Sequence, residues 1–116
     1  MFATQRFISE FNPIIFDDLV RIASVNLPWE DLKGTTVLVT GGGGFLAAYL
    51  IKSLLAVGRL NKLNIKVICV ARSTRSVEFR LSAYLNSPDL SFLQHDISQP
   101  LPMDFPRADI FVHSAC

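Results

Sequence analysis

Thr35-Thr36-Val37-Leu38-Val39-Thr40-Gly41-Gly42-Gly43-Gly44-Phe45-Leu46-Ala47-Ala48-Tyr49-Leu50 is the stretch on which the fold turns. Residues 35–40 are β-branched or apolar and stop at glycines, the pattern of a short buried strand. Residues 44–57 read as a helix, with Gly58 where a helix C-terminal glycine belongs. The glycines fall at the junction of the two. Gly41, Gly44 and Ala47 follow a G-x-x-G-x-x-(G/A) spacing. Gly41 allows a sharp turn out of the strand through positive φ. Gly44 withholds a side chain where a diphosphate would approach the backbone. Ala47 is small enough for the helix to pack close to the strands. The helix start offers free N–H groups and the positive end of its dipole to the anion. Gly43, Phe45 and Leu46 complete the loop's candidate cofactor-binding positions.

Working outward, residues 65–71 (IKVICVA) form a second apolar strand. Residues 74–85 have helical spacing through Val77, Leu81 and Leu85. Asn86-Ser87-Pro88-Asp89 breaks that helix. Residues 90–96 and 108–115 give a third and a fourth strand. Near-continuous apolar strands alternating with helices predict an α/β fold with a Rossmann-type, doubly wound parallel sheet of about four strands, covered on both faces. In the order 3-2-1-4 the third and fourth strands lie on opposite sides of the first two. Residues 97–107 hold three prolines and leave no room for a crossover helix. The path is roughly 15 Å sideways at about 4.8 Å per strand, with a return of about 15–20 Å along the sheet. Eleven extended residues reach roughly 35 Å, so an extended crossover closes the connection.

Residues 1–33 read as a short helical leader ahead of a dinucleotide-binding domain at 34–116. Residues 14–25 place Ile15, Leu19, Ile22 and Ala23 at helical spacing, with Asn12-Pro13 as the start and Asn26-Leu27-Pro28 as the stop. Trp29 is expected to pack on the core.

The end of the second strand selects the cofactor. An acidic residue there would bind the adenine-ribose hydroxyls of NAD. This chain has Val70-Ala71-Arg72-Ser73, followed by Thr74 and Arg75. A guanidinium beside hydroxyls suits a 2′-phosphate, so Arg72 and Ser73 favour NADP over NAD. Asp96 and Ile97, at the end of the third strand, are expected to bound the adenine pocket. Ser114 and Ala115, at the end of the fourth, are small enough to admit the nicotinamide side. His113 is expected to pack or hydrogen-bond rather than catalyse, and His95 reads as a strand residue.

Composition narrows the alternatives. Half of the 116 residues are hydrophobic and 18% are charged, a globular rather than a disordered balance. A formal charge of +1 carries no footprint for nucleic acid. The longest apolar run, residues 45–55, contains Lys52 and is too short to span a bilayer. Nor does the N-terminus carry the uninterrupted apolar segment of a signal peptide. Cys69 and Cys116 suggest reduced thiols in a cytoplasmic protein rather than a disulfide framework. No metal site is read from the sequence.

The segments TTVLVTGGGGFLAAYL, VICVARS, QHDIS and DIFVHSA, across roughly residues 35–115, resemble the extended short-chain dehydrogenase/reductase family of NAD-dependent epimerase/dehydratase type. QHDIS, the short proline-containing link and DIFVHSA are similar to UDP-glucuronate decarboxylases and related nucleotide-sugar enzymes. The resemblance implies oxidation of a sugar hydroxyl, elimination, decarboxylation or epimerisation, and re-reduction. It also implies a Tyr-x-x-x-Lys base, which this chain lacks: Tyr49 is followed by Ser53, and Tyr84 by Pro88. No catalytic residue is therefore assigned. The chain is expected to be the N-terminal part of a longer enzyme and inactive alone. Expected partners are a dinucleotide and, in the full-length protein, a nucleotide sugar, with homodimerisation left open. Two alternatives stand beside this reading: an NADP-dependent carbonyl or acyl reductase of the same superfamily, and a non-catalytic NAD(P)-binding sensor.

Overall fold

The computed structural model describes residues 12–41 and 43–114. The first part of the leader, Gly42, Ala115 and Cys116 lie outside the described residues. Helix α1 spans Pro13–Ala23. The Asn12 side chain caps it, accepting from the amides of Ile14 at 2.9 Å and Ile15 at 3.3 Å. Proline occupies the first turn, where its missing N–H costs nothing. The helix buries Phe16, Leu19 and Ala23, one stripe at i, i+3 and i+7. Burying Phe16 and Leu19 contributes about 1.5–3 kcal/mol each. Ser24 ends the helix, its hydroxyl donating to the Val20 carbonyl at 2.8 Å. Trp29, in a 3-10 turn at Trp29–Leu32, packs against the same core.

Strand β1 (Thr36–Thr40), helix α2 (Phe45–Leu60), strand β2 (Lys66–Ala71) and helix α3 (Thr74–Arg80) follow. Strands β3 (Leu90–Gln94) and β4 (Ile110–His113) complete the described elements. All pairings are parallel, in the order β3-β2-β1-β4. This is an α/β, Rossmann-like fold with the topology expected from the alternating pattern. The link between β3 and β4 contains no helix, only turns closed by Gln99 N–H to the Asp96 carbonyl and Phe105 N–H to the Pro102 carbonyl. The buried helical side chains form one cluster with Val37, Val39, Val67, Cys69 and Ala71, alternate residues of the central strands. Residues 13–23 pack on α2 rather than standing apart. Tyr49 Oη donates to Asp18 at 2.9 Å, and Asn61 Nδ2 donates to the Ala23 carbonyl at 3.0 Å.

Several boundaries differ from the sequence reading: β4 is shorter than residues 108–115, the first helix ends at Ala23, and three further differences bear on the packing or the site. Gly58 is inside α2, not beyond its end. A Cβ there would meet Ile65 Cβ at 3.1 Å, so the glycine allows the helix to lie close to the start of β2. The chain turns out of α2 later, with Lys62 and Asn64 at φ 56° and 55°. Helix α3 stops at Arg80 and tightens into a 3-10 turn at Ser82–Tyr84. Tightening toward three residues per turn moves the buried position from Leu85, which is exposed, to Tyr84, which is buried. Strand β3 ends at Gln94, short of Asp96, although His95 N–H still donates to the Ala71 carbonyl at 3.0 Å.

At the opposite edge from the glycines, Asp89 is buried beneath two cations. Its carboxylate meets Arg59 Nε at 2.6 Å and Lys66 Nζ at 2.7 Å. This ties the end of α2 to the starts of β2 and β3. Burial pushes the Cys69 thiol up to about 11, so it remains a protonated core side chain at neutral pH. Among the described residues no helix is long and apolar enough to cross a membrane. Nor do they include a group of three or more His, Cys, Asp or Glu side chains that could hold a metal.

Candidate functional site

The chain leaves β1 through Gly41, whose φ of 74° lies in the left-handed region that favours glycine. Gly44 N–H donates back to the Gly41 carbonyl at 2.9 Å, closing a tight turn. Gly44 is the N-cap of α2, and no side chain among the described residues caps the helix. The first helical bond runs from Ala48 N–H to the Gly44 carbonyl. The amides of Phe45, Leu46 and Ala47 precede it, as the first amides of any helix do.

A cleft of about 530 Å³ opens at this end, along the carboxyl edge of the sheet. Gly41, Gly43 and Gly44 form one wall, Arg72 and Ser73 another. Asp96, Ile97 and Ser114 complete the set of expected residues that line it. The remaining loop positions behave differently. Phe45 and Leu46 do not line the cleft, and their side chains are exposed, at 64% and 78%. Ala47 is buried in the core cluster, consistent with a need for a small residue there. Ala115 lies outside the described residues. Neither Tyr49 nor Tyr84 lines the cleft.

Several lining residues were not singled out from the sequence: Thr40, Ser76, His95 and Ser98. Thr40 organises the tips of β1 and β4. Its Oγ1 accepts from Ser114 N–H at 3.0 Å and lies 3.0 Å from His113 Nδ1. His113 is thus hydrogen-bonded to the tip of β1. His95 meets Phe105 edge-on, with ring centroids 6.0 Å apart. Its buried Nε2 has no hydrogen-bond partner among the described residues. Ser76 touches the glycine loop from α3: a Cβ at Gly43 would lie 2.7 Å from Ser76 Cβ. That contact is tertiary and leaves no signal in local sequence.

Two opposite charges, Arg72 and Asp96, line the cleft. The Asp96 carboxyl is held below the usual carboxylate range, chiefly by the Ser98 hydroxyl at 2.7 Å and the Ser98 amide at 3.0 Å, with a smaller contribution from the Arg72 charge. Both Ser98 bonds use Oδ1. The Arg72 carbonyl is fixed by Gln94 Nε2 at 3.0 Å, which sets where the arginine leaves the strand. Ser73 caps α3 through its side chain, accepting from Arg75 N–H at 3.2 Å.

A scan of protein families gives no match to this chain. One curated protein does match. It is the carboxylic acid reductase of Mycobacterium tuberculosis, 35% identical over 96 residues. The match takes in 80% of this chain and 8% of that protein, so the chain spans a small part of its relative's length. The likeness is to a reductase. The nucleotide-sugar branch suggested by QHDIS and DIFVHSA gains no support from it.

Proposed function

We propose that this chain forms the dinucleotide-binding part of an NADP(H)-dependent reductase that acts on carboxylic or acyl substrates. The observation that carries this reading is the single cleft in which the glycine loop, the end of β2 and the end of β3 meet. Its chemistry suits a dinucleotide from end to end. The glycine turn and the uncapped start of α2 offer amides and a positive dipole end to a diphosphate. Arg72 and Ser73 offer a guanidinium and a hydroxyl to a 2′-phosphate. Asp96, with Oδ2 outside the Ser98 bonds, offers an acceptor to an adenine amino group. Ser114, small and at the end of β4, leaves room beside the nicotinamide. When bound, the cofactor supplies a hydride; the residues of this chain bind and orient it. The carboxylic acid reductase match supports the reductase reading over the nucleotide-sugar one.

The reading is tested by titrating NADPH and NADH into wild-type protein and into Arg72→Ala. Loss of a charge-assisted bond to the 2′-phosphate is expected to weaken NADPH by about 1.5–3 kcal/mol, roughly 10- to 150-fold. NADH should change little. Equal affinity of the variant and the wild type for NADPH would remove the NADP preference. Binding of neither cofactor by folded wild-type protein would remove the whole reading.

A further inference from the structure

Arg80 is the last residue of α3 and does not line the cleft. It nevertheless reaches the glycine loop. Its Nε–H donates to the Gly43 carbonyl at 2.9 Å in a partly buried position. Its guanidinium lies 5.8 Å from the Phe45 ring centroid and 5.9 Å from that of Phe79. These flat faces limit where the guanidinium can sit. Ser76, one turn earlier on the same face of α3, abuts Gly43.

The bond matters because of the peptide it holds. Gly43 C=O and Gly44 N–H belong to one planar trans unit and point in opposite directions. Arg80 holds the carbonyl end at 2.9 Å, and the Gly41 carbonyl holds the amide end at 2.9 Å. The peptide plane just before α2 is therefore fixed at both ends. A freed plane could swing its carbonyl into the cleft, setting a negative dipole end against a diphosphate. Glycines on either side give that rotation little steric resistance.

We propose that Arg80 is the positioning residue of the glycine loop: by holding the Gly43 carbonyl it keeps the diphosphate-facing amides in place and sets affinity without touching the ligand. This rests on the dinucleotide reading of the cleft. The gain comes from preorganisation, since a loop already in its binding geometry loses less freedom on binding.

The test compares Arg80→Met with Arg80→Gln. Methionine reaches as far as the position of Nε and removes the donor. Glutamine restores an N–H donor near the position of Nε but not the charge. Two measurements are made on each protein. Amide exchange at Gly44 in the free protein reads the clamp. Affinities for ADP-ribose and for adenosine 2′-monophosphate, which lacks the diphosphate, read its consequence. Arg80→Met is expected to speed exchange at Gly44 by roughly 10-fold and to weaken ADP-ribose by a similar factor. Exchange at Val39 and binding of the monophosphate should stay unchanged, which a general loss of stability would not produce. Arg80→Gln should recover most of both effects. The proposal is overturned if Gly44 exchange ignores Arg80, if Arg80→Gln is as impaired as Arg80→Met, or if both adenosine ligands weaken together. Wild-type protein that ignores ADP-ribose, while Gly44 exchange still depends on Arg80, would remove the dinucleotide reading and the affinity role and leave the clamp itself supported.

Discussion

Gly43→Val is expected to weaken dinucleotide binding more than 100-fold, a loss of about 2.7 kcal/mol or more. The reason is steric and lies behind the loop rather than in the ligand site. A Cβ at Gly43 would sit 2.7 Å from Ser76 Cβ, a separation that real Cβ atoms essentially never show. Ser76 Cβ is the root of a side chain on α3, so it cannot swing aside as a flexible tip would. Either α3 or the loop must shift. Both movements disturb the Arg80 bond to the Gly43 carbonyl and the turn closed by Gly44 N–H on the Gly41 carbonyl. Overpacking of this kind also costs about 1–3 kcal/mol of stability. Calorimetric titration with NADPH, run alongside thermal melting, separates the two losses. The steric account adds a rescue. Ser76→Gly removes the clashing atom, so Gly43→Ala should bind better with Ser76→Gly than without it, a coupling expected of residues in contact. Undiminished binding by Gly43→Val would show that the loop is not held as described.

Asp89→Ala should lower stability by about 2–3 kcal/mol. Asp89 is buried and its two carboxylate oxygens each hold a cation. Removing it leaves Arg59 and Lys66 facing each other without their shared anion. The Arg59 and Lys66 side chains are 36% and 45% exposed. They regain part of their hydration, which places the loss below that of a fully buried pair. The site joins α2, β2 and β3 at the edge remote from the cleft, so cofactor affinity should be untouched. For a domain of this size each kcal/mol moves the midpoint by roughly 4 °C, so a fall of about 8–12 °C in Tm is expected. An unchanged Tm would mean that the bridge contributes no net stability, as many surface ion pairs do not.

Much of this architecture was legible because it depends on local signals. The β-branched run before the glycines, the apolar run at residues 65–71 and the alternation of strands and helices specify a parallel sheet, and β1 and β2 lie at its centre. The cleft residues Gly41, Gly44, Arg72, Asp96 and Ser114 follow from that sheet, because strand ends on the carboxyl edge converge. What escaped depends on contacts between distant segments. Gly58 looks like a helix terminator until Ile65 is seen against it. Leu85 fits a 3.6-residue period, but the 3-10 turn hands its place to Tyr84. Arg80 resembles any charged residue on a helix, and only the approach of α3 to Gly43 gives it a task. The QHDIS and DIFVHSA segments pointed to nucleotide-sugar enzymes, whereas the curated protein that this chain matches is a carboxylic acid reductase. Those segments end at the carboxyl edge of the sheet, and a likeness there says little about the substrate of the whole protein.

The central claim is that a diphosphate rests on the turn between β1 and α2. Recording backbone amide resonances of the isotope-labelled chain while ADP-ribose is added tests it most directly. The largest shifts are predicted at Gly41, Gly44, Phe45 and Leu46, with smaller ones at Arg72 and Asp96 and none at Asp89. Saturable binding that leaves the glycine-turn amides unmoved, or moves others instead, would contradict the account.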